Sequence, residues 1–470
     1  MKRGFDTKNM SKVAFFNILG PIILNGINFF TVPIFTRILG ATNYGIFSLY
    51  MSYVSIMTII VSLQSQGSIA PSSIHYKDEN EQKKYLSSIL TLSLCNFFII
   101  LIFSLIFIEP ISNLIGMNKI IVIFILLQSF FGCCCNIAIT YFTFKKYSYK
   151  SFIISLTNSI LNIIISLLIL NSIDNYNILY FGRVLGSAIP NIIVGFILMM
   201  VIFVKGKVFF SKKYWKFCLS ICLPLVFHGL SSIVLSQSDR IMLKEITGSE
   251  ALIGVYSLAY SLSNILNVIW AALNNTWIPF YYDYITNNEL DLIKEKSENY
   301  LQLFTILTIG FILLSPEIIM ISSSMEFWGA MELIPILVVS IFMIFLYSFP
   351  ANFEFYNKKT GNIAIGTILA AICNIILNYL LIPKYNMYGA AIATLISYIL
   401  LFIFHQLICM KIIKNNYHYK WSLFIPYCLK ILLGCILFYL TIDYWIIRWF
   451  IGGLLGIYLV YKIVKRRSVF

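Results

Sequence analysis

Four basic side chains of this 470-residue sequence lie in or beside long apolar runs, where a charge is costly and usually has a function. Arg183 and Lys430 fall within such runs, while Arg37 and Arg240 follow the first and the seventh. A guanidinium or ammonium group at this depth can bind an anion such as phosphate, and Arg183 is the first candidate. The alternative for Arg183 and Lys430 is that each extends to the membrane surface without binding anything.

Two further groups near these cations are candidates for coupling transport to an ion. His228 lies about halfway through the seventh run, where an imidazole can titrate near neutral pH. Asp239 directly precedes Arg240 and is the second ion-coupling candidate. A neutral, hydrogen-bonded His228 and a simple Asp239–Arg240 ion pair are the alternatives. No Cys or His set has metal-ligand spacing and no nucleophile–base set stands out, so neither a metal site nor an enzyme is predicted.

A polar stripe with a proline follows the first apolar run. Pro21, Asn25 and Asn28 share one face of a helix, and Pro224 and His228 repeat part of this pattern 203 residues later. Proline bends a helix and frees a carbonyl group, so Pro21 and Pro224 are predicted hinges. Because polar groups avoid lipid, we interpret Asn25 and Asn28 as cavity-lining residues; contact between neighbouring helices is the alternative.

The elements that must position these residues are membrane-spanning helices. The sequence is 59% hydrophobic and 11% charged, with a mean hydropathy of +0.86. Soluble domains carry about 25% charged residues, so an all-α polytopic membrane protein is predicted. Fourteen apolar runs are each long enough to cross a membrane, at approximately 13–35, 44–64, 86–108, 119–142, 151–171, 178–204, 217–238, 249–272, 299–322, 333–353, 362–382, 387–409, 422–442 and 445–463.

The distribution of charge predicts the orientation of these helices. Most of the 34 Lys and Arg residues lie in the loops on the side that holds both termini. The positive-inside rule places that side, and so both termini, in the cytoplasm. The net charge of +15 therefore reflects topology, and no nucleic-acid partner is predicted. The mixed segment 273–298 is predicted to be a cytoplasmic interfacial helix.

An internal repeat divides the chain into two halves. "PIILNGINFFTVPIFTRI" from Pro21 aligns without a gap with "PLVFHGLSSIVLSQSDRI" from Pro224, and "YGIFSLYMS" from Tyr44 resembles "IGVYSLAYS" from Ile253. Such colinear pairs predict two parallel six-helix lobes, with a substrate site at their interface. The predicted domains are an N-terminal lobe 1–204, a cytoplasmic linker 205–216, a C-terminal lobe 217–410, and two additional helices with a basic cytoplasmic tail in 411–470.

Three stretches resemble one family of bacterial membrane proteins. "VPIFTRILGATNYGIFSLY", "SDRIMLKEITGSEALIGVYSLAYSL" and "NKKTGNIAIGTILAAICNIILNYLLIPKYNMYGAAIATLISY" resemble, in this order, segments of the Wzx-type lipid-linked oligosaccharide flippases. This family belongs to the superfamily that includes MATE-fold drug exporters and the lipid II flippase. The chain has Pro383-Lys384-Tyr385-Asn386 where the family often has proline, an aromatic residue and glycine, which changes a turn.

The resemblance implies a function. Such flippases move undecaprenyl-diphosphate-linked oligosaccharide repeat units from the cytoplasmic to the periplasmic leaflet of the bacterial inner membrane, using an H+ or Na+ gradient and no cofactor. Arg183 would bind the diphosphate, with Arg240 and Arg37 at the outer mouth, and the last two helices would hold the lipid tail. O-antigen of lipopolysaccharide or capsule is the implied product. Membrane lipids, a polysaccharide polymerase and a chain-length regulator are the implied partners.

Two other transport functions are the alternatives. A multidrug cation antiporter of the MATE type would require buried acidic residues, and the first six apolar runs contain none. A lipid II flippase would be essential for growth, whereas an O-antigen flippase usually is not. A polymerase or ligase would require a large loop on the outer side, and the predicted outer loops are short.

Overall fold

The computed structural model describes residues 7–413 and 417–466, and that part of the chain is built from α-helices and short 3-10 or π turns. The α-helices are α1 (Thr7–Ser62), α2 (Ile69–His75), α3 (Glu79–Ile106), α4 (Ile108–Ile115), α5 (Lys119–Phe144), α6 (Ser148–Asn171), α7 (Leu179–Gly206), α8 (Lys212–Thr247), α9 (Glu250–Thr286), α10 (Leu290–Ser322), α11 (Ala330–Tyr356), α12 (Thr360–Ile408), α13 (Trp421–Leu440) and α14 (Trp445–Arg466). In α1 the side chains are described from Gly20 on, except those of Ile22 and Asn28. The two termini, which were predicted to be cytoplasmic, lie outside the described residues.

Two of the long helices each contain a break. In α1 the break is at Gly40, with φ 65° and ψ 176°, and in α12 it is at Asn386, with φ 49° and ψ −128°. Asn386 ends the Pro383–Asn386 stretch, where the sequence departs from the usual turn. Among the described residues twelve helices are long and apolar enough to span a membrane, and two of these are divided by the breaks. The prediction of about fourteen membrane spans is therefore confirmed.

Side-chain caps mark where several helices begin. Asp78 accepts a hydrogen bond from the backbone N–H of Glu81 at 3.1 Å, and Asn118 accepts one from Ile120 at 3.1 Å. Such caps satisfy N–H groups that have no partner within the helix. The beginnings of these helices are thus encoded locally.

The predicted interfacial helix at 273–298 is wrong. Residues 273–286 continue α9, a turn with Asn288 at φ 59° follows, and α10 begins at Leu290. Helix α9 extends because its apolar face remains covered: Trp277 and Tyr281 are buried. The Tyr281 ring stacks on Tyr419 with centroids 5.9 Å apart. The polar residues of this segment lie on the other face, which made the sequence resemble a surface helix.

The chain forms two compact units. Unit 1 comprises residues up to Phe35 and Ile46–Gln237, and unit 2 comprises Thr36–Gly45 and the residues from Ser238 on. In unit 1, α7 packs against α5 and α6. In unit 2, α11 packs against α9 and α12, while α13 and α14 both pack on α10. These packings bring the candidate residues of each unit together.

Candidate substrate and ion sites

A polar chamber lies in unit 1 beside Arg183. Two adjoining cavities of about 250 Å³ and about 300 Å³ share the lining residues Met51, Asn158 and Ser159. The polar lining consists of amides, hydroxyls and one guanidinium, from Thr31, Thr58, Gln128, Asn136, Ser155, Asn158, Ser159, Asn162, Arg183, Ser187 and Asn191. Amides and hydroxyls both donate and accept hydrogen bonds, as sugar hydroxyls do. The chamber can therefore bind a neutral polar group next to an anion.

The position of Arg183 in this chamber is set by α6 and two aromatic rings. Its Nη1 donates to Asn162 Oδ1 at 2.8 Å and to Ser166 Oγ at 2.7 Å. Its Cζ lies 4.0 Å from the centroid of the Phe35 ring and 4.4 Å from that of Phe47. Rings and amide oxygens at these distances orient a guanidinium without neutralising it. These contacts hold the guanidinium of Arg183 in a fixed place.

Helix α7 approaches α6 closely enough to make this geometry possible. A methyl group at Gly186 would overlap Ser166, so only a glycine lets the two helices come this near. Ser187 and Asn191 follow Arg183 on the same face of α7 and line the chamber with it, as their spacing indicates. In addition, Ser187 Oγ accepts a hydrogen bond from Gln128 Nε2 at 3.1 Å.

Asp239 is the centre of a buried polar cluster in unit 2. Its carboxylate is fully buried and accepts hydrogen bonds from Asn378 Nδ2 at 2.7 Å, from Thr394 Oγ1 at 2.7 Å and from the hydroxyl of Tyr256. Asn374 Oδ1 accepts a further bond from Asn378 at 3.1 Å. A carboxylate without water requires such donors, because burial penalises its charge.

The same cluster has the donor atoms that a hard cation prefers. Asn378 Oδ1 is buried and has no hydrogen-bond partner among the described residues. The Nδ2 of Asn378 faces Asp239 and Asn374, and the oxygens of Asp239, Asn374 and Thr394 carry one negative charge among them. Such a set suits a proton or a monovalent cation such as Na+.

The two arginines that the repeat aligns lie in different surroundings. Arg240 is buried, its Nε donates to Ser257 Oγ at 2.9 Å, and its Cζ lies 4.7 Å from the Tyr260 centroid. Arg37 is exposed and donates from Nη2 to the carbonyl oxygen of Ile321 at 2.8 Å.

The other predicted residues are spread over three helices. In α1, Pro21 and Asn25 are exposed, and Asn25 Nδ2 donates to the carbonyl oxygen of Pro21 at 2.8 Å. In α8, Pro224 is exposed and His228 is half-buried, with no partner for its buried Nδ1 in the described part of the chain. The side chain of Asn28 lies outside the described residues.

Lys430 of α13 is exposed at an apolar groove. The groove has a volume of about 350 Å³ and is lined by residues of α10, α13 and α14. Lys430 Nζ lies 4.8 Å from the centroid of the Tyr427 ring. At one end Gln302 donates to the Tyr458 hydroxyl at 2.9 Å and accepts from Lys462. A long apolar group with an anionic end fits this surface.

Sequence reasoning missed a buried ionisable pair in unit 2. His405 Nδ1 and Glu354 Oε1 are 2.8 Å apart, and neither side chain is exposed. Glu354 lies within the last turn of α11, and His405 lies within the last turn of α12. The sequence contains one sign of this pair: Glu354 is an acidic residue directly after a long apolar run.

Comparison with known proteins places this arrangement in context. A family model described as "Polysaccharide biosynthesis protein" matches residues 11–284. The chain is 24% identical over 371 residues to "Lsg locus putative protein 1" of Haemophilus influenzae. The aligned region covers 76% of this chain and 87% of that protein. A second protein of that organism, an uncharacterized membrane protein, is 22% identical over 75% of this chain and 85% of its own length.

Solved structures of transporters have the same fold. "Lipid II flippase MurJ, inward closed conformation" aligns with a TM-score of 0.73 at 20% identity, over 97% of this chain and 99% of that one. An inward-facing multidrug resistance MATE family transporter aligns with a TM-score of 0.63 at 14% identity, over 84% and 96%. At these identities the likeness concerns the fold, and the prediction of a MATE-like fold is confirmed.

Proposed function

Because the chain belongs to the polysaccharide biosynthesis protein family and has the MATE-like fold, we propose that it flips lipid-linked oligosaccharides across the membrane. The substrate is an undecaprenyl-diphosphate-linked repeat unit, which moves from the cytoplasmic to the periplasmic leaflet of the bacterial inner membrane. The single observation that carries this proposal is the chamber beside Arg183, where one fixed positive charge adjoins amide and hydroxyl groups.

The chamber matches the two chemically different parts of such a headgroup. Arg183 binds the diphosphate, because guanidinium and phosphate form short, charge-assisted hydrogen bonds. Asn158, Ser159 and Asn191 bind sugar hydroxyls, since each can donate and accept. We assign the remaining predicted residues to the path of the headgroup. The outer mouth would have Arg240 and Arg37, and the cavity lining would include Asn25 and Asn28.

The lipid tail needs a separate, apolar surface. The groove of α10, α13 and α14 provides it, with Lys430 available to an anionic group at the membrane interface.

Transport against a concentration gradient needs an energy source, which we assign to an H+ or Na+ gradient. Asp239 is the preferred coupling group, because its carboxylate is fully buried and is held by amide and hydroxyl groups. His228, half-buried in α8, is the second candidate. Pro21 and Pro224 are the proposed hinges, since a proline weakens helix hydrogen bonding where it stands.

We assign the product to a surface polysaccharide, O-antigen of lipopolysaccharide or capsule, in keeping with the description of the family. A polymerase and a chain-length regulator would then act on the flipped repeat unit. Both chain termini lie in the cytoplasm in this proposal, following the charge of the loops.

A deletion strain tests the proposed function. We expect surface polysaccharide to disappear while undecaprenyl-linked repeat units accumulate on the cytoplasmic side, and the full-length chain to restore export. Normal polysaccharide with raised sensitivity to cationic dyes would instead identify a drug exporter. Arrest of growth with accumulated lipid II would identify a lipid II flippase.

A further inference from the structure

A chain of hydrogen bonds in unit 1 leads from a buried tyrosine to the chamber beside Arg183. The hydroxyl of Tyr50 donates to Gln128 Oε1 at 2.5 Å, and Gln128 Nε2 donates to Ser187 Oγ at 3.1 Å. Gln128 and Ser187 line the chamber, whereas Tyr50 is fully buried behind them. Tyr50 is therefore placed to act on a ligand through Gln128 and not by touching it.

The two distances fix the orientation of the Gln128 amide. A separation of 2.5 Å is typical of a short O–H···O hydrogen bond and is too short for a good N–H···O bond, whereas 3.1 Å suits N–H···O. The carbonyl oxygen of Gln128 therefore faces Tyr50, and its NH2 group faces Ser187. With its carbonyl oxygen turned away, Gln128 presents hydrogen donors to the chamber.

Ser187 continues the direction of this chain. Its Oγ accepts the hydrogen bond from Gln128, so its own hydrogen has to point elsewhere. That hydrogen meets the sulfur of Met51 at 3.9 Å, and a thioether is a weak acceptor. Hydrogen bonds that run in one direction also polarise one another, which strengthens the last donor. Ser187 can therefore donate to a stronger acceptor that enters the chamber.

The donor at Ser187 adjoins the positive charge of Arg183. The two residues are four positions apart on one face of α7, and both line the cavity of about 250 Å³. A phosphate oxygen is an acceptor with a negative charge, so it matches a guanidinium and a hydroxyl donor together. A sugar hydroxyl can donate or accept and gains less from a fixed direction. This part of the chamber therefore selects phosphate over a neutral alcohol.

Packing holds Tyr50 in place independently of its hydroxyl group. The Tyr50 ring stacks on Phe47 with centroids 6.3 Å apart, and Phe47 contacts the Arg183 guanidinium. In α5, Ser129 Oγ donates to the carbonyl oxygen of Val54 at 3.2 Å, which joins α5 to α1. Removal of the Tyr50 hydroxyl alone leaves these contacts intact, so its effect on the amide can be measured separately.

We propose that Tyr50 is a positioning residue, which turns the Gln128 amide so that Gln128 and Ser187 donate to a phosphate oxygen bound at Arg183. The ligand class is a lipid diphosphate, and in this respect the inference rests on the proposed function. Tyr50 itself does not contact the ligand. It sets the preference of the chamber for a diphosphate over a neutral headgroup.

Binding to the purified full-length protein tests this role. The probes are undecaprenyl diphosphate and undecaprenol, which share a tail and differ in the headgroup. We expect Tyr50→Phe to weaken binding of the diphosphate about three- to tenfold, because a released amide can turn its oxygen toward the phosphate. Ser187→Ala should weaken it by a similar factor. Binding of undecaprenol should change by about twofold at most in both variants.

A double-mutant cycle separates this role from a general structural one. If Tyr50 acts through the amide, Tyr50→Phe should have little further effect on diphosphate binding in a Gln128→Met chain, which has no amide to turn. Effects that multiply would mean that Tyr50 acts independently of Gln128. Tyr141→Phe is the matched control, because it removes a hydroxyl group from α5 at a different cavity, and it should leave binding of both probes unchanged.

Each outcome decides between the role of Tyr50 and the proposed function. Equal diphosphate affinities of the parent chain and Tyr50→Phe, or equal losses for both probes, would overturn the role of Tyr50 and leave the proposed function in place. A parent chain that does not bind undecaprenyl diphosphate would overturn both. If the deletion strain keeps its surface polysaccharide while Tyr50→Phe still loses diphosphate affinity, the proposed function fails and the role of Tyr50 stands.

Discussion

Gly45 and Gly254 lie in direct backbone contact within unit 2, although they are 209 positions apart in the sequence. A methyl group on Gly45 would lie 2.8 Å from the backbone nitrogen of Gly254 and overlap the Glu250 carbonyl. One on Gly254 would overlap the carbonyl of Ala41. The repeat aligns Ala41 with Glu250 and Gly45 with Gly254, so each contact is the repeat image of the other. The two helices meet through equivalent positions.

This contact predicts that neither glycine tolerates a methyl group. We expect Gly45→Ala and Gly254→Ala each to lower the free energy of unfolding by about 1–3 kcal/mol, since overpacking forces the backbones apart. The measurement is thermal unfolding of the purified protein in detergent. The double variant should lose less free energy of unfolding than the two single variants together, because the first methyl group has already moved the two helices apart.

Gly26→Ala is the matched control for the glycine variants. Gly26 lies in α1 and a methyl group there meets nothing within 4 Å. The variant should be neutral or slightly stabilising, because alanine favours a helix over glycine. If Gly45→Ala melts at the same temperature as Gly26→Ala, the close crossing is absent in solution.

The spans, their breaks and the polar face of α7 could be predicted because they are local properties. Apolar runs of about 20 residues imply membrane helices, and the spacing of Arg183, Ser187 and Asn191 places them on one face. Gly40 and Asn386 break helices at points where the apolar runs are interrupted. No knowledge of the neighbouring helices is needed for any of these inferences.

The surroundings of the candidate residues could not be predicted, because they depend on distant segments. Arg37 and Arg240 are equivalent in the repeat, yet Arg240 is buried against Ser257 and Arg37 is exposed. Asp239 directly precedes Arg240 in the sequence, and the structure adds a hydrogen bond from Asn378, 139 positions away. Which helices pack together decides these partners, and a single sequence does not contain that information.

The Asp239 cluster predicts an ion that stabilises the folded protein. If Na+ binds there, raising Na+ to about 100 times its dissociation constant should stabilise the protein by about 2.7 kcal/mol, with K+ as the ionic-strength control. Asp239→Asn should abolish the shift because it removes the only charge among the oxygen donors. A proton-coupled protein would show no Na+ shift, and export would instead respond to dissipation of the pH gradient. An Asp239→Asn variant that exports normally would exclude coupling through this residue.

The position of the Arg183 guanidinium predicts that export falls by different amounts in the Ala and Lys variants. Arg183→Ala should reduce export at least tenfold at equal protein level, because it removes the positive charge of the chamber. Arg183→Lys keeps the charge but loses the planar contacts with Phe35 and Phe47, so an intermediate rate is expected. Lys119→Ala, at an exposed ion pair with Glu109, serves as the control for a general loss of positive charge. Normal export by Arg183→Ala would show that its proposed diphosphate role is wrong.

The buried Glu354–His405 pair predicts a large loss of stability when one partner is removed. Both side chains are fully buried, and Glu354 Oε2 and His405 Nε2 have no hydrogen-bond partner among the described residues. Glu354→Ala or His405→Ala alone should therefore cost about 3–5 kcal/mol, because the remaining ionisable group stays in a dry site. Thermal unfolding in detergent at constant pH measures the loss.

A double variant separates the interaction within this pair from the cost of burying each partner. Glu354→Leu/His405→Leu replaces both groups by apolar side chains, so it should be less destabilised than the less stable single Ala variant. Glu109→Ala breaks the ion pair with Lys119, whose atoms are 2.5 Å apart on the protein surface, and should leave the melting temperature unchanged. Equal, small effects at the buried and the exposed pair would mean that water reaches Glu354 and His405. The pair would then be open to proton exchange and would become a third ion-coupling candidate beside Asp239 and His228.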